Sequence, residues 1–245
     1  TTVPLVLRGP GTADTWAPST LPDPSADLVT RLERLYGSDP ALANALARAK
    51  ALHFDAGMMA EANAPKESMA GGVRPGGFVT LAQRAAEFLS HTGGPRAAVL
   101  ELGGWDSHAN EAAPQGATAK ALRVLDSGLA TLRDGLTAGG VWRDTVVVVA
   151  TEFGREVAVN GTQGTDHGSA GAAFVLGGPV KGGRVVADWP GLGRKDRFEG
   201  RDLRTTTDLR ALLKGVLADH LQVARRQLEA EVFPGSDAVR ALQVL

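Results

Sequence analysis

Residues 144–150, DTVVVVA, and the polar loop that follows them decide the fold. Four consecutive valines without polar alternation are typical of a strand that is covered on both faces. Residues 151–168, TEFGREVAVNGTQGTDHG, then place acids, an arginine and a histidine in one loop. Such a loop could hold a metal ion, form a catalytic dyad or serve as a polar connection.

Around this strand the chain alternates between strand-like and helical segments. Short apolar runs at 96–104 and 172–178 predict two more strands. Apolar residues at intervals of three and four predict helices over 78–91, 116–138 and 206–221. This order predicts an α/β fold with a parallel sheet and helices on both faces.

The amino-terminal third of the chain has a different character. Residues 25–62 predict two helices separated by Ser38-Asp39-Pro40, in which Asp39 is the expected N-cap and Pro40 the first helical residue. Residues 63–77 lack periodicity and predict a loop that covers a neighbouring surface. We therefore expect a helical and loop segment over 1–77 that packs on the sheet, and an α/β domain over 78–245.

Composition excludes several classes of protein and of site. The 245 residues include 26 basic and 27 acidic side chains, and a net charge of −1 gives no electrostatic case for binding nucleic acid or an anionic membrane. No apolar run approaches the roughly 18 residues of a membrane span. The absence of cysteine excludes disulfides, thiolate metal sites and cysteine nucleophiles.

Two polar loops follow predicted strands directly. Residues 103–108, GGWDSH, supply Asp106 and His108, and the longer loop supplies Glu152, Asp166 and His167. Because the carboxyl ends of parallel strands lie at one edge of a sheet, we expect these side chains to converge. The structural test of this expectation is whether these side chains converge within about 5 Å, a distance that one ion with ligand bonds of 2–2.5 Å can bridge.

Aspartate, glutamate and histidine together form an oxygen and nitrogen site for a divalent metal. Zinc, manganese, magnesium and calcium all remain open on this ligand set. Arg155 is placed to hold a tetrahedral anion through its planar guanidinium. Gly164 and Gly168 would let the backbone approach closely on either side of Asp166-His167.

Each of these residues also has a structural interpretation. An isolated Asp-x-His is common in proteins without metal, and Glu152 could cap a turn or pair with Arg155. Asn160-Gly161-Thr162 matches a glycosylation sequon but more plainly indicates a turn. The sequence lacks the GxSxG, GxxxxGK[ST], GxGxxG and HExxH motifs, which disfavours the corresponding hydrolases and oxidoreductases.

Four motifs in order, GWDxH, EFGR, GTDHG and GGxVxGGRVxxDWP, resemble an uncharacterised family of bacterial proteins exported by the twin-arginine route. That family is described as sulfatase-like and is placed in the alkaline phosphatase superfamily. The resemblance covers residues 96–215 well and the first 95 loosely. It implies a periplasmic or exported protein, an alkaline-phosphatase-like sheet, and one or two divalent metals at strand ends.

By the same resemblance, Asp106 and His108 correspond to a metal-binding pair, and His167 with Asp166 to the later histidine ligand. Phe153 occupies a position where many members carry a histidine ligand. Members are usually longer, and their amino-terminal half supplies the first strand and the nucleophile. The resemblance therefore implies an incomplete sheet, with the missing amino-terminal half as a partner.

The leading hypothesis is a metal-dependent hydrolase of phosphate or sulfate esters acting on a small-molecule or glycan ester. Asp106, His108, Asp166 and His167 would bind the metal, Glu152 would act as ligand or base, and Arg155 would bind the anion. The alternative is a non-catalytic binding or assembly protein that retains the fold with a degenerate metal site. A metal-dependent mutase or transferase is a third hypothesis.

Overall fold

The computed structural model describes residues 9, 11, 13–18, 24–57, 75–111 and 113–245. It divides the chain into two compact units, residues 1–72 and 73–245. Much of the predicted loop at 63–77 lies outside the described residues, and its last three residues instead begin a helix.

The first unit contains two helices, α1 (Ala26–Tyr36) and α2 (Pro40–Gly57). The Ser25 hydroxyl accepts a hydrogen bond from the Leu28 N–H at 3.2 Å and caps α1. The Asp39 carboxylate accepts from the first turn of α2, and Pro40 is its first residue, as predicted. Lys50 pairs with Glu33 and joins the two helices.

The second unit is built on the helix pair α3 (Pro75–Ser90) and α4 (Ala117–Ala138). Both helices were predicted. Small residues bring them close together, because a Cβ at Gly128 would overlap the Phe78 ring and a Cβ at Gly135 would lie 2.7 Å from that of Ala86. The buried side chains of this first cluster come from both helices: Ala82, Ala85, Ala86, Leu132 and Leu136.

Strand β1 (Val146–Val149) pairs with β4 (Phe174–Gly177). The ladder is antiparallel, and Val146 lies opposite Gly177. Val147 packs against the cluster of α3 and α4, whereas Val146 and Val148 pack against a second cluster on α5 (Leu209–Leu221). The valine run thus serves two cores, which explains why it lacks polar alternation.

The predicted fold class, a parallel alkaline-phosphatase-like sheet with helices on both faces, is wrong. In the described residues, the sheets are two antiparallel pairs of strands, β1 with β4, and β2 (Gly154–Arg155) with β3 (His167–Gly168). A parallel pair needs a long crossover, usually a helix. The connection from β1 to β4 is instead the polar loop and its β2–β3 hairpin, so the chain returns antiparallel. Residues 96–104, predicted as a strand, form no ladder.

The carboxyl-terminal region is fastened to α5 by a buried lysine. The Lys214 ammonium donates to Glu229 Oε1 at 3.2 Å, to the Ser236 carbonyl at 2.9 Å and to the Val239 carbonyl at 3.0 Å. Glu229 lies on a π-helical turn, Leu228–Val232. Among the described residues, the helices are too short or too polar to span a membrane.

Candidate metal centre

The two loops singled out in the sequence lie against each other. The Asn110 N–H donates to the Thr162 carbonyl at 3.0 Å, and the Glu111 N–H donates to the Gln163 carbonyl at 2.9 Å. A Cβ at Gly164 would overlap the backbone carbonyl of His108, so only glycine fits there. The predicted close approach at Gly164 is therefore confirmed, and the two loops form one surface.

Three side chains on this surface bring their ligand atoms together. Asp106 Oδ1 lies 2.7 Å from His167 Nε2 and 3.1 Å from His108 Nε2. All three atoms lie within 4.8 Å of one another. The side chains are between 45% and 67% exposed, so the cluster opens to solvent. Among the described residues, this set of two imidazoles and one carboxylate has the geometry to hold a metal ion.

Asp166 stands behind His108, on the far side of the ring from Asp106. His108 Nδ1 lies 2.9 Å from Asp166 Oδ1, while Nε2 faces Asp106. In metal sites, a histidine ligand commonly donates its other ring N–H to a carboxylate, which fixes its tautomer and orientation. The geometry therefore gives Asp166 the position of an orienting carboxylate and leaves His108 Nε2 to face the cluster.

Without a metal, hydrogen bonds between carboxylates and imidazoles dominate the electrostatics. The hydrogen bond to Asp166 raises the pKa of His108, and the bond to Asp106 adds to it. The hydrogen bond from His167 lowers the pKa of Asp106, and that from His108 lowers the pKa of Asp166. These shifts favour ionised carboxylates and a protonated His108 ring, whose Nε2 proton a metal would replace.

Phe153 packs on His167. Its ring lies parallel to that of His167, with centroids 4.0 Å apart and an angle of 11° between the planes. The His108 ring also stacks with that of His167, with centroids 5.1 Å apart. Phe153 supplies no ligand atom, but its face restricts the plane in which His167 can present Nε2.

Arg155 connects the two loops through hydrogen bonds to the backbone of each. Its guanidinium donates to the carbonyls of Ser107 at 2.8 Å and Thr165 at 2.7 Å, and to that of Trp105. The partly buried Glu111 carboxylate lies 3.5 Å away. Glu111 also accepts hydrogen bonds from the side chains of Ser107 and Thr165. Arg155 therefore fastens the backbone on both sides of Asp106 to the segment that carries Asp166 and His167.

Asn160 contacts both ends of the same surface. Its Nδ2 lies 3.1 Å from the His108 carbonyl and 3.3 Å from Asp166 Oδ1. The predicted turn at Asn160 is confirmed, because its carbonyl accepts from the Gln163 N–H at 3.1 Å. The sequence indicated this turn but carried no sign that the side chain reaches Asp166.

Only some of the predicted site residues lie in this cluster. Asp106, His108 and His167 form the cluster, and Asp166 contacts it through His108. Glu152 is exposed beside Phe153 and does not belong to the group whose ligand atoms converge. Sequence reasoning missed the roles of Glu111 and Asn160. The contacts from Glu111 to Thr165 and from Asn160 to the His108 carbonyl join positions more than fifty residues apart, and such contacts leave no local signal.

Comparison with known proteins corrects the resemblance drawn from the motifs. No sulfatase or alkaline phosphatase family matches the chain, so the assignment to a sulfatase-like family of the alkaline phosphatase superfamily is wrong. No curated protein and no solved structure matches it either. The family model that matches is described as "Protein of unknown function (DUF1501)" and covers residues 26–232. With most of its length matched, the chain belongs to this DUF1501 family.

Proposed function

We propose that the protein binds one divalent metal ion through Asp106, His108 and His167 and uses it to hydrolyse a phosphate or sulfate ester. The convergence of the three ligand atoms within 4.8 Å carries this proposal. Ligand atoms on one tetrahedral ion with bonds near 2.1 Å lie about 3.4 Å apart. The separations of 2.7 and 3.1 Å around Asp106 Oδ1 need only small adjustments to reach that value.

The donor set narrows the choice of metal. Calcium and magnesium prefer oxygen ligands, whereas two imidazoles and a carboxylate suit zinc and related transition metals. Three protein ligands on an exposed surface leave coordination positions for water and substrate, as in catalytic rather than structural zinc sites. Zinc is the ion we expect to bind most tightly among the four that the sequence left open.

The proposal gives the metal and the residues around it separate roles in the reaction. A bound metal would polarise an ester oxygen or lower the pKa of a water molecule. Asp166 holds the Nδ1 proton of His108, so that Nε2 faces the ligand cluster. Glu152, exposed beside Phe153, is the proposed base.

Metal analysis tests the first half of this proposal. Purified protein is dialysed against zinc, manganese, magnesium or calcium, and the bound ion is quantified by mass spectrometry and titration calorimetry. We expect one zinc ion per chain, and a loss of at least tenfold in affinity for His167→Ala, because that variant lacks one of three ligands. The matched control is His91→Ala, which removes an exposed histidine just beyond α3.

Failure of the wild-type protein to bind a divalent ion would refute the proposal. Equal zinc affinity in the His167→Ala variant would place the ion elsewhere. For the second half, a panel of phosphate and sulfate esters is assayed with zinc. Turnover that disappears in Asp106→Ala and falls in Glu152→Gln would support hydrolysis.

One observation favours the non-catalytic alternative, a binding or assembly protein. The guanidinium predicted to hold a substrate anion instead donates to three backbone carbonyls and faces Glu111. A zinc-loaded protein that hydrolyses no member of the ester panel, and releases no rearranged or transferred product, would support this alternative. Product analysis by mass spectrometry distinguishes hydrolysis from mutase or transferase chemistry.

A further inference from the structure

The Asn160 side chain uses its two ends for different purposes. Its Oδ1 accepts hydrogen bonds from the Thr162 and Gly164 N–H groups, both at 3.0 Å, and so closes the loop on itself. Its Nδ2 reaches out of the loop to the His108 carbonyl and to Asp166 Oδ1. One amide therefore connects the shape of this loop to the position of the carboxylate behind His108.

The orientation of this amide follows from its partners. Backbone N–H groups can only donate, so the atom that faces Thr162 and Gly164 must be the oxygen. The NH₂ group then necessarily faces two acceptors, the His108 carbonyl and Asp166 Oδ1. The Thr162 hydroxyl joins this contact, 2.6 Å from the His108 carbonyl and 2.8 Å from Asn160 Oδ1.

These contacts hold one oxygen atom in place, Asp166 Oδ1. Asp166 Oδ1 accepts from Asn160 Nδ2 at 3.3 Å and lies 2.9 Å from His108 Nδ1. Two donors converging on one oxygen restrict the rotation of an exposed carboxylate and hold it in line with the imidazole. The same amide also donates to the His108 carbonyl, which the Thr162 hydroxyl holds as well, so Asn160 contacts both the backbone of His108 and its carboxylate partner.

We propose that Asn160 is a positioning residue of the metal site, which holds Asp166 so that His108 presents Nε2 to a divalent transition metal. This inference rests on the proposed metal binding by Asp106, His108 and His167. It assigns a specific role to a residue whose sequence context indicated a turn or a glycosylation site.

A neutral substitution tests the proposal directly. Asn160→Ser keeps a side-chain oxygen that can accept from the loop N–H groups, but it is too short to reach Asp166. We expect its zinc affinity, measured by competition with a chromophoric chelator, to fall about tenfold, at the lower end of the effect of losing outer-shell partners. The thermal unfolding midpoint should stay within a few degrees of wild type.

A charge-matched exchange separates positioning from electrostatics. Asn160→Asp places two carboxylates against each other, whereas Asn160→Asp combined with Asp166→Asn restores an amide and a carboxylate at the same total charge as wild type. Positioning predicts that the double variant binds zinc more tightly than Asn160→Asp alone. An effect of charge alone predicts the reverse order, because the single variant carries one more negative charge near the ion.

The ring proton of His108 provides a readout that a purely structural role would not change. Zinc on Nε2 leaves the proton of His108 on Nδ1, and in the wild type ¹H–¹⁵N spectra should show this proton shifted downfield and exchanging slowly with solvent, because it is bonded to Asp166. In Asn160→Ser, the same proton should move upfield and exchange faster. The matched control is Asn44→Asp, which adds the same charge as Asn160→Asp on an exposed position of α2 and should leave zinc affinity unchanged.

The outcomes distinguish this inference from the proposed function. A wild-type protein that binds no zinc refutes the metal site and the inference together. Wild-type zinc binding with equal affinity in Asn160→Ser refutes the inference alone. A double variant that binds no better than Asn160→Asp also overturns it, because donor and acceptor matching would then have no effect.

Discussion

At the scale of the residue, Arg155 shows how one side chain can organise a site without belonging to it. Its guanidinium contacts the carbonyls on either side of Asp106 and the carbonyl that precedes Asp166. Its backbone pairs with His167 in the β2–β3 ladder. Arg155 thereby contacts both segments that carry the proposed ligands, the loop of Asp106 and the strand of His167.

We expect Arg155→Lys to weaken zinc binding by about tenfold to a hundredfold, the range for outer-shell changes. A lysine ammonium is a single point of donation and cannot reproduce a planar fork directed at three carbonyls. The control is Arg133→Lys, because Arg133 is exposed on α4 and pairs with its neighbour Asp134. Chelator competition gives the zinc affinity.

The same variant tests the role that the sequence suggested for Arg155. If Arg155 holds the substrate anion, Arg155→Lys should leave zinc affinity unchanged and raise KM for the ester. A fall in zinc affinity, by contrast, identifies the guanidinium as a structural connection between the loops. The two results are mutually exclusive in the metal titration.

Residue patterns predicted the grouping of Asp106, His108 and His167 better than they predicted its surroundings. Asp106-Ser107-His108 and Asp166-His167 each place metal-capable side chains within three residues, and such local groupings are visible in the sequence. The contribution of Phe153 was not visible, because stacking on His167 depends on the geometry of the β2–β3 hairpin. Glu152 drew attention by its place after the valine strand, yet it lies outside the cluster.

At the scale of the element, α3 and α4 pack through small residues. Intervals of three and four along 116–138 would place Leu122 on the buried face of α4, but Leu122 is 47% exposed and the buried face runs through Gly128. The Phe78 ring of α3 occupies the space beside that glycine. A search of the sequence for large apolar residues does not find such a face, because the two helices approach each other at glycines, which have no side chain.

We expect Gly128→Ala to destabilise the protein by about 1–3 kcal/mol, as overpacking does, although alanine is the better helix former. The added methyl group would overlap the buried Phe78 ring. Denaturant unfolding measures the change. Ser127→Ala, at the adjacent exposed position, is the matched control and should cost nothing.

A second substitution makes this prediction specific to the contact. Combining Gly128→Ala with Phe78→Leu removes part of the ring that the new methyl group would meet. The double variant should therefore lose less stability than the sum of the two single variants. Additive losses would show that the two side chains do not compete for the same space.

The prediction for the valine strand was right in its position and wrong in its pairing, whereas the strand predicted at 96–104 does not form. A run of valines indicates a strand at 146–149 because branched side chains favour extended backbone, but it does not specify a partner. Direction is fixed by the connection, and here that connection is the hairpin carrying His167 rather than a helix. Helix positions were predicted more reliably, since capping residues and periodicity are local.

At the scale of the whole molecule, a network of charges fixes the end of the chain to α5. The Lys214 side chain is only 3% exposed, and Glu229 is 15% exposed. Glu229 also accepts from Arg225 at 2.7 Å, so one carboxylate faces two cations. The hydrogen bond from Arg225, followed by that from Lys214, lowers the pKa of Glu229.

This lowered pKa predicts a stability that depends on pH. A carboxylate whose pKa is lower in the folded state stabilises the protein above its unfolded pKa, about 4.3 for glutamate. The contribution disappears as the pH falls through the folded pKa. We therefore expect the loss of unfolding free energy between pH 5 and about pH 3 to be smaller in Glu229→Gln than in wild type, as measured by urea unfolding.

The matched control for this network is Glu231→Gln, which changes an exposed carboxylate two residues further along. It should follow the wild-type curve throughout the acid range. An identical slope for Glu229→Gln and wild type would show that the ion pairs with Arg225 and Lys214 do not contribute to acid stability.

The long separation between ligands in the chain has a consequence for how the protein assembles. Asp106 and His167 are 61 positions apart, and α4 and β1 lie between them. Closing such a loop costs entropy that contacts formed afterwards must offset, whereas only residues 91–116 separate helices α3 and α4. The proposed metal site therefore requires this loop to be closed, and a chain in which only α3 and α4 had packed would lack it.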